Sequence, residues 1–189
     1  MERRRRTLIL TGFVFMGLVL LPLVRNRISA AATLLEAFGT PVRRPFAPDV
    51  KPETAEIGGV MGRLYASGNY PAVLVVPGAT PDGVADARVN TVARALARAG
   101  RNVFIPELDL YRELFTRTDL ERIVAAVGGL AEWSGQPAAA LGFSYGGSFA
   151  LVAAADPRME GRLSRVATLG AYYDLEGGIQ AVTTGGSTV

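Results

Sequence analysis

The chain of 189 residues is 49% hydrophobic and 20% charged, which suits one buried core plus a membrane segment and excludes a disordered polymer. It contains neither cysteine nor histidine, so a disulfide framework and the usual thiolate or imidazole zinc sites are excluded, and no carboxylate cluster suggests a metal held by oxygen alone. The formal charge of +3 is local: residues 1–27 carry six arginines and one glutamate, while the remainder is slightly acidic with interspersed charges, so no nucleic-acid footprint is present.

Arg3 to Arg6 precede an uncharged apolar run, Thr7 to Val24, and Arg25 and Arg27 follow it. At ~1.5 Å per residue the run makes a helix of about 27 Å, close to the hydrocarbon thickness of a bilayer. Four arginines before the run against two after it predict a cytoplasmic N-terminus and a domain beyond the membrane. The alternative is a cleaved export signal: Ser29-Ala30-Ala31-Ala32 supplies small residues, and Arg5-Arg6-Thr7-Leu8-Ile9 loosely resembles a twin-arginine pattern. Residues 1–27 are read as this anchor or signal.

Ile28 to Phe38 has helical spacing, with Ile28, Ala31, Leu35 and Phe38 on one face. Pro41, Pro45, Pro48 and Pro52 then come too densely for a helix or a central strand, so 28–52 is read as a stiff linker and 53–189 as the folded domain.

Thr54 to Gly58 and Val60 to Tyr65 read as a hairpin around Gly58-Gly59. Ala72 to Val76 is a strand apolar on both faces, followed by the loop Pro77 to Gly83. Val89, Val92, Ala93, Leu96 and Ala99 predict a helix over 87–99 closed by Gly100, and Asn102 to Pro106 a further buried strand. A second helix spans Thr118 to Trp133, with Thr118 and Glu121 as a capping box, Gly128-Gly129 weakening its interior, and Trp133 assigned to core packing. Glu107, Asp109 and Tyr173 fall near strand ends with no assignable role.

Ala138 to Leu141 has strand length and leads into Gly142-Phe143-Ser144-Tyr145-Gly146, followed by Gly147 and a helix-compatible run to Ala155. This G-x-S-x-G in a strand, sharp turn and helix context is the pattern of a nucleophile elbow. Its serine sits in a strained conformation at the strand tip, and bulk at Gly142 or Gly146 would strike the neighbouring strand and helix. Arg165 to Gly170 is the last strand. Strands alternating with single helices predict an α/β fold, a mostly parallel sheet with helices on both faces. Function in such sheets gathers at the C-terminal strand ends, here the loops at 77–83, 142–146 and 172–178.

Four stretches together resemble the α/β-hydrolase family, and within it dienelactone-hydrolase-like enzymes with an N-terminal membrane segment: Val75-Val76-Pro77-Gly78-Ala79-Thr80-Pro81-Asp82-Gly83, Arg98-Ala99-Gly100, Phe104-Ile105-Pro106-Glu107-Leu108 and Leu141 to Gly147. The resemblance implies a serine hydrolase of esterase or lactonase type acting on a small ester-like substrate without a cofactor. Ser144 would be the nucleophile, and the backbone N–H groups of Tyr145 and Ala79 the oxyanion hole. Pro77 stands where the family often has histidine. Asp174, just past the last strand, is where some members place the triad acid; the other reading is a turn carboxylate. Phe143 and Tyr145 would line the nucleophile, or Phe143 would pack beneath it.

The family's general base is a histidine after the last strand, and this chain has none. The expectation is therefore the N-terminal part of a hydrolase, with the fold incomplete after about its sixth strand and an unpaired edge at Val166 to Leu169. The alternative is a membrane-anchored binding module on the same scaffold. Acyl transfer to an acceptor other than water would use the same residues as hydrolysis.

Overall fold

The computed structural model describes residues 31–43, 49–68, 70–112, 116–172 and 174. The expected membrane span, 7–24, and the C-terminal segment 175–189 lie outside them; among the described residues no helix is long and apolar enough to cross a membrane.

Gly58 and Gly59 have φ of +62° and +74°, the signs that a two-residue type I′ turn requires. They close β1 (Glu53–Ile57) onto β2 (Val60–Tyr65), with Ile57 opposite Val60. β2 also pairs antiparallel with β4 (Arg101–Pro106). The strands β3 (Tyr70–Val76), β5 (Ala138–Phe143) and β6 (Leu163–Leu169) join in parallel, giving the order β1-β2-β4-β3-β5-β6. β6 ends the sheet among the described residues, and none of its residues is buried, as befits an edge strand.

Alternation along the apolar strands builds a core on each side of the sheet. Ala72, Leu74, Val76 and Phe104 face α2 (Arg117–Ser134) and α3 (Tyr145–Ala154), while Val75, Val103 and Ile105 face α1 (Ala87–Arg98). The paired glycines of α2 have a packing reason. A Cβ on Gly129 would lie 2.4 Å from the backbone N of Gly58, and one on Gly58 would lie 2.1 Å from the Ala125 carbonyl oxygen, so the hairpin turn rests directly on the helix.

Two expectations are corrected on α2. The helix starts at Arg117, not Thr118, and its cap is Thr116, whose hydroxyl accepts from the Asp119 N–H at 3.3 Å. Asp119 takes the third helical position, and its buried carboxylate turns away to accept from the N–H groups of Asp109 (3.0 Å) and Leu110 (2.6 Å). Glu121 instead pairs with Arg158 at 2.8 Å on the surface. Trp133 is 49% exposed; Ile123, Val124, Val127 and Leu130 fill the sheet-facing stripe, and Trp133 lies one turn past the last of them.

Residues 31–37 are helical, and Glu36 meets Arg98 of α1 at 3.2 Å. Val50 is buried with Tyr65, Val75 and Ala93, so the core recruits side chains from before β1.

Candidate active site

Ser144 is the only non-glycine described residue with positive φ, at φ +51° and ψ −129°. This region is sparsely populated for residues with a side chain and persists only where the surroundings hold it. They do so through hydrogen bonds: the Ser144 N–H donates to the Leu169 carbonyl of β6 at 2.9 Å, and the Ser144 carbonyl accepts from Gly147 N–H at 2.9 Å as α3 begins.

The flanking glycines behave as the motif requires. A Cβ on Gly142 would lie 2.5 Å from Gly147 Cα, and one on Gly146 would lie 2.2 Å from the Pro77 carbonyl oxygen and 2.4 Å from that of Val76. The second contact binds the start of α3 to the end of β3. It brings the loop after β3 beside the serine, where a Cβ on Gly78 would lie 2.9 Å from Ser144 Cβ and 3.3 Å from its Oγ.

Ser144 and this loop share a cavity of about 280 Å³, lined also by Ala37, Arg88, Val89, Val92 and Phe143. Ser144 and Ala79 therefore meet in one site. Tyr145, the next residue, is buried, and its ring stacks on Tyr172 at 4.9 Å between centroids. Phe143 does both things expected of it, lining the cavity and packing against the α1-side core. Asp174 is exposed and does not line the cavity. Glu107 and Asp109 line a different cavity of about 500 Å³, where Asp109 pairs with Arg122 at 3.0 Å. Tyr173 lies outside the described residues. Among the described residues no group of acidic side chains could hold a metal ion.

The loop that carries Ala79 is clamped at its next residue. Thr80 N–H donates to the Tyr111 carbonyl at 2.9 Å, and the Thr80 hydroxyl donates to Asp86 Oδ2 at 2.5 Å. Asp86 is 4% exposed and also caps α1, accepting from the N–H groups of Arg88 (2.8 Å) and Val89 (3.3 Å). The Arg88 guanidinium first of all, then the Thr80 hydroxyl and the two amides, hold the Asp86 carboxyl well below the usual carboxylate range against the opposing cost of burial. Tyr111 is itself fixed by its hydroxyl, which donates to the Pro106 carbonyl, and burial raises its pKa.

On the other side of the elbow, the Ser148 hydroxyl is buried in α3. It accepts from Tyr172 N–H at 2.9 Å and lies 3.2 Å from the Tyr172 carbonyl, fixing the start of the loop after β6. Neither clamp figured in the sequence reading. Asp86 carried a usable signal, a helix-capping aspartate directly before the periodic run; Ser148 carried none.

A partly exposed serine at a strained strand-to-helix turn, with a clamped loop of small residues against it, can present a hydroxyl and backbone donors to one acyl group. No protein-family model and no curated protein matches the sequence. Solved structures do match. A hormone-sensitive lipase from a metagenome library aligns at TM-score 0.54 and 18% identity over 78% of this chain and 51% of its own. The fold is that of the α/β-hydrolases. A thermophilic, thermostable carboxylesterase cloned from a metagenomic library aligns at TM-score 0.53 and 20% identity, over 88% of this chain and 61% of its own. An esterase from the bacterial hormone-sensitive lipase family gives 0.52 and 21%, over 84% and 61%. The chain thus spans between half and two thirds of the length of these α/β-hydrolases.

Proposed function

We propose that the protein is the nucleophile-bearing part of an esterase-type serine hydrolase, in which Ser144 attacks the acyl carbon of a small ester-like substrate. The observation that carries this reading is the Ser144 backbone, φ +51° and ψ −129°, inside G-x-S-x-G and against the Gly78-Ala79 loop. Attack by Ser144 Oγ forms a bond to the acyl carbon and moves charge onto the carbonyl oxygen, where the N–H groups of Ala79 and Tyr145 stabilise it. Collapse breaks the bond to the leaving oxygen, which takes up the proton that the base removed from Ser144 and departs as the alcohol, and leaves an acyl-enzyme that water, or another acceptor, resolves. The Asp86–Thr80 clamp supports this role because it fixes the peptide that follows Ala79.

The base that takes the serine proton is not among these 189 residues, since none is histidine. Asp174 stays a proposal for the acid only. The same absence favours the second reading, a binding module that keeps the elbow without turnover. In both, residues 7–24 tether the domain to a membrane, and the motifs resemble those of dienelactone-hydrolase-like proteins.

Labelling by a fluorophosphonate probe with imidazole added as the proton acceptor tests the first reading, because such probes phosphonylate serines whose proton a base can take. The adduct is expected on Ser144 and lost in Ser144→Ala. Equal labelling of that variant contradicts the proposal.

A further inference from the structure

The helical residues 31–37 are arranged with the wrong side out. Thr33 is only 8% exposed, and Glu36 turns inward to meet Arg98 of α1 at 3.2 Å. The large apolar side chains turn outward: Leu34 is 61% exposed, Leu35 50%, and Phe38, just past the helix, 76%. Spacings of three and four residues set these three on one face. A surface helix in water has the opposite arrangement, apolar stripe to the core and polar face to solvent. The same segment borders the candidate site, since Ala37 lines the Ser144 cavity together with Gly78, Ala79 and Thr80.

We propose that Leu34, Leu35 and Phe38 lie in the headgroup region of a lipid bilayer, and that the Ser144 cavity therefore takes acyl esters dissolved in that bilayer. The substrate clause rests on the hydrolase reading above; the docking does not. Two features of the sequence select lipid over other occupants. The uncharged run ends at Val24, seven residues before Ala31, a reach of at most about 25 Å when fully extended, which keeps the segment near whatever surface the run enters. Arg25 and Arg27 lie between the run and the helix, and Arg43 follows it, so cations flank the apolar face as in helices that lie on anionic bilayers. A helix so placed brings the cavity, which Ala37 helps to line, close to the bilayer surface.

The absence of native cysteine makes the test direct. Leu34→Cys and Phe38→Cys are each labelled with a nitroxide in the full chain, which is reconstituted into phosphatidylcholine–phosphatidylglycerol vesicles. Spin-label accessibility is measured to oxygen, which concentrates in lipid, and to a water-soluble nickel chelate. Oxygen access exceeding chelate access at both positions is expected. Chelate access at least equal to that of oxygen overturns the proposal, and so does shielding from both reagents, the result if a second protein copy or another part of the chain covers the face. The same measurement in the Ser144→Ala background separates the two readings. Lipid contact there with a parent Ser144 that takes no fluorophosphonate even when imidazole is added removes the hydrolase reading and leaves the docking intact.

Discussion

Gly146→Ala perturbs the contact that joins the two halves of the site. The new Cβ would lie 2.2 Å from the Pro77 carbonyl oxygen and 2.4 Å from that of Val76, both backbone atoms of the β3 end. Ordinary carbon–oxygen contacts begin near ~3.3 Å, so α3 and β3 must separate by about 1 Å. Overpacking of this kind costs about 1–3 kcal/mol. At ~2–4 °C per kcal/mol for a domain of this size, thermal unfolding should fall by roughly 2–12 °C. The displacement moves the start of α3, which follows Ser144, from the end of β3, which leads into the Ala79 loop, and a misplacement of about 1 Å at a reacting group can lower reactivity ~100-fold. Differential scanning calorimetry and the rate of fluorophosphonate labelling are the assays. Gly161→Asn is the control: φ there is +71° with nothing within 4 Å of a Cβ, and asparagine tolerates that backbone, so both readouts should stay near the parent. A Gly146→Ala protein that melts and labels like the parent would refute the packing argument.

Three further outcomes follow from the clamps and caps. Asp86→Asn keeps the shape of the α1 cap and loses its charge-assisted bonds to Thr80 and Arg88, lowering stability at pH 7 by about 1.5–3 kcal/mol in urea unfolding. Because the folded-state pKa of Asp86 is depressed, its contribution is fully present above the ordinary value of 3.8 and is lost as pH falls below it; the difference between parent and Asp86→Asn should therefore shrink between pH 5 and roughly pH 2. Thr116→Ala removes the α2 cap and should lower stability by about 1 kcal/mol, while Thr118→Ala stays within about 0.5 kcal/mol; the reverse order would restore Thr118 as the cap. Ser148→Ala removes the hydroxyl partner of the Tyr172 N–H and should speed amide hydrogen exchange at Tyr172, with little change across β3 and β4.

Much of the fold was legible because backbone chemistry and apolar patterning are local. Gly58-Gly59 between two short runs could form little other than a tight hairpin, and the uninterrupted apolar stretches at 72–76 and 103–106 had to be strands covered on both faces. The elbow was legible for the same reason, since its glycines answer to contacts within one strand–turn–helix unit and to the neighbouring strand end. Longer-range choices were not. Threonines at 116 and 118 both suit a cap, and what selects Thr116 is Asp119, whose carboxylate is taken by amides ten and nine residues back. Periodicity put Leu35 and Phe38 on one face without saying whether that face meets protein, and the structure turns it outward. Trp133 shows the same limit, an apolar residue at the right spacing but past the end of its partner surface. The Thr80–Asp86 clamp needed the turn at 83–85 to fold the chain back by six residues, which no periodicity encodes.

The central proposal is that Ser144 is a preorganised nucleophile with no imidazole base among these 189 residues. Adding imidazole during fluorophosphonate labelling tests it most directly, since a free base entering the cavity beside Ser144 can supply the missing proton acceptor. The account predicts labelling at Ser144 that rises with imidazole concentration, follows the free-base fraction as pH increases, and vanishes in Ser144→Ala. Labelling that ignores imidazole, or rises equally in Ser144→Ala, would contradict it.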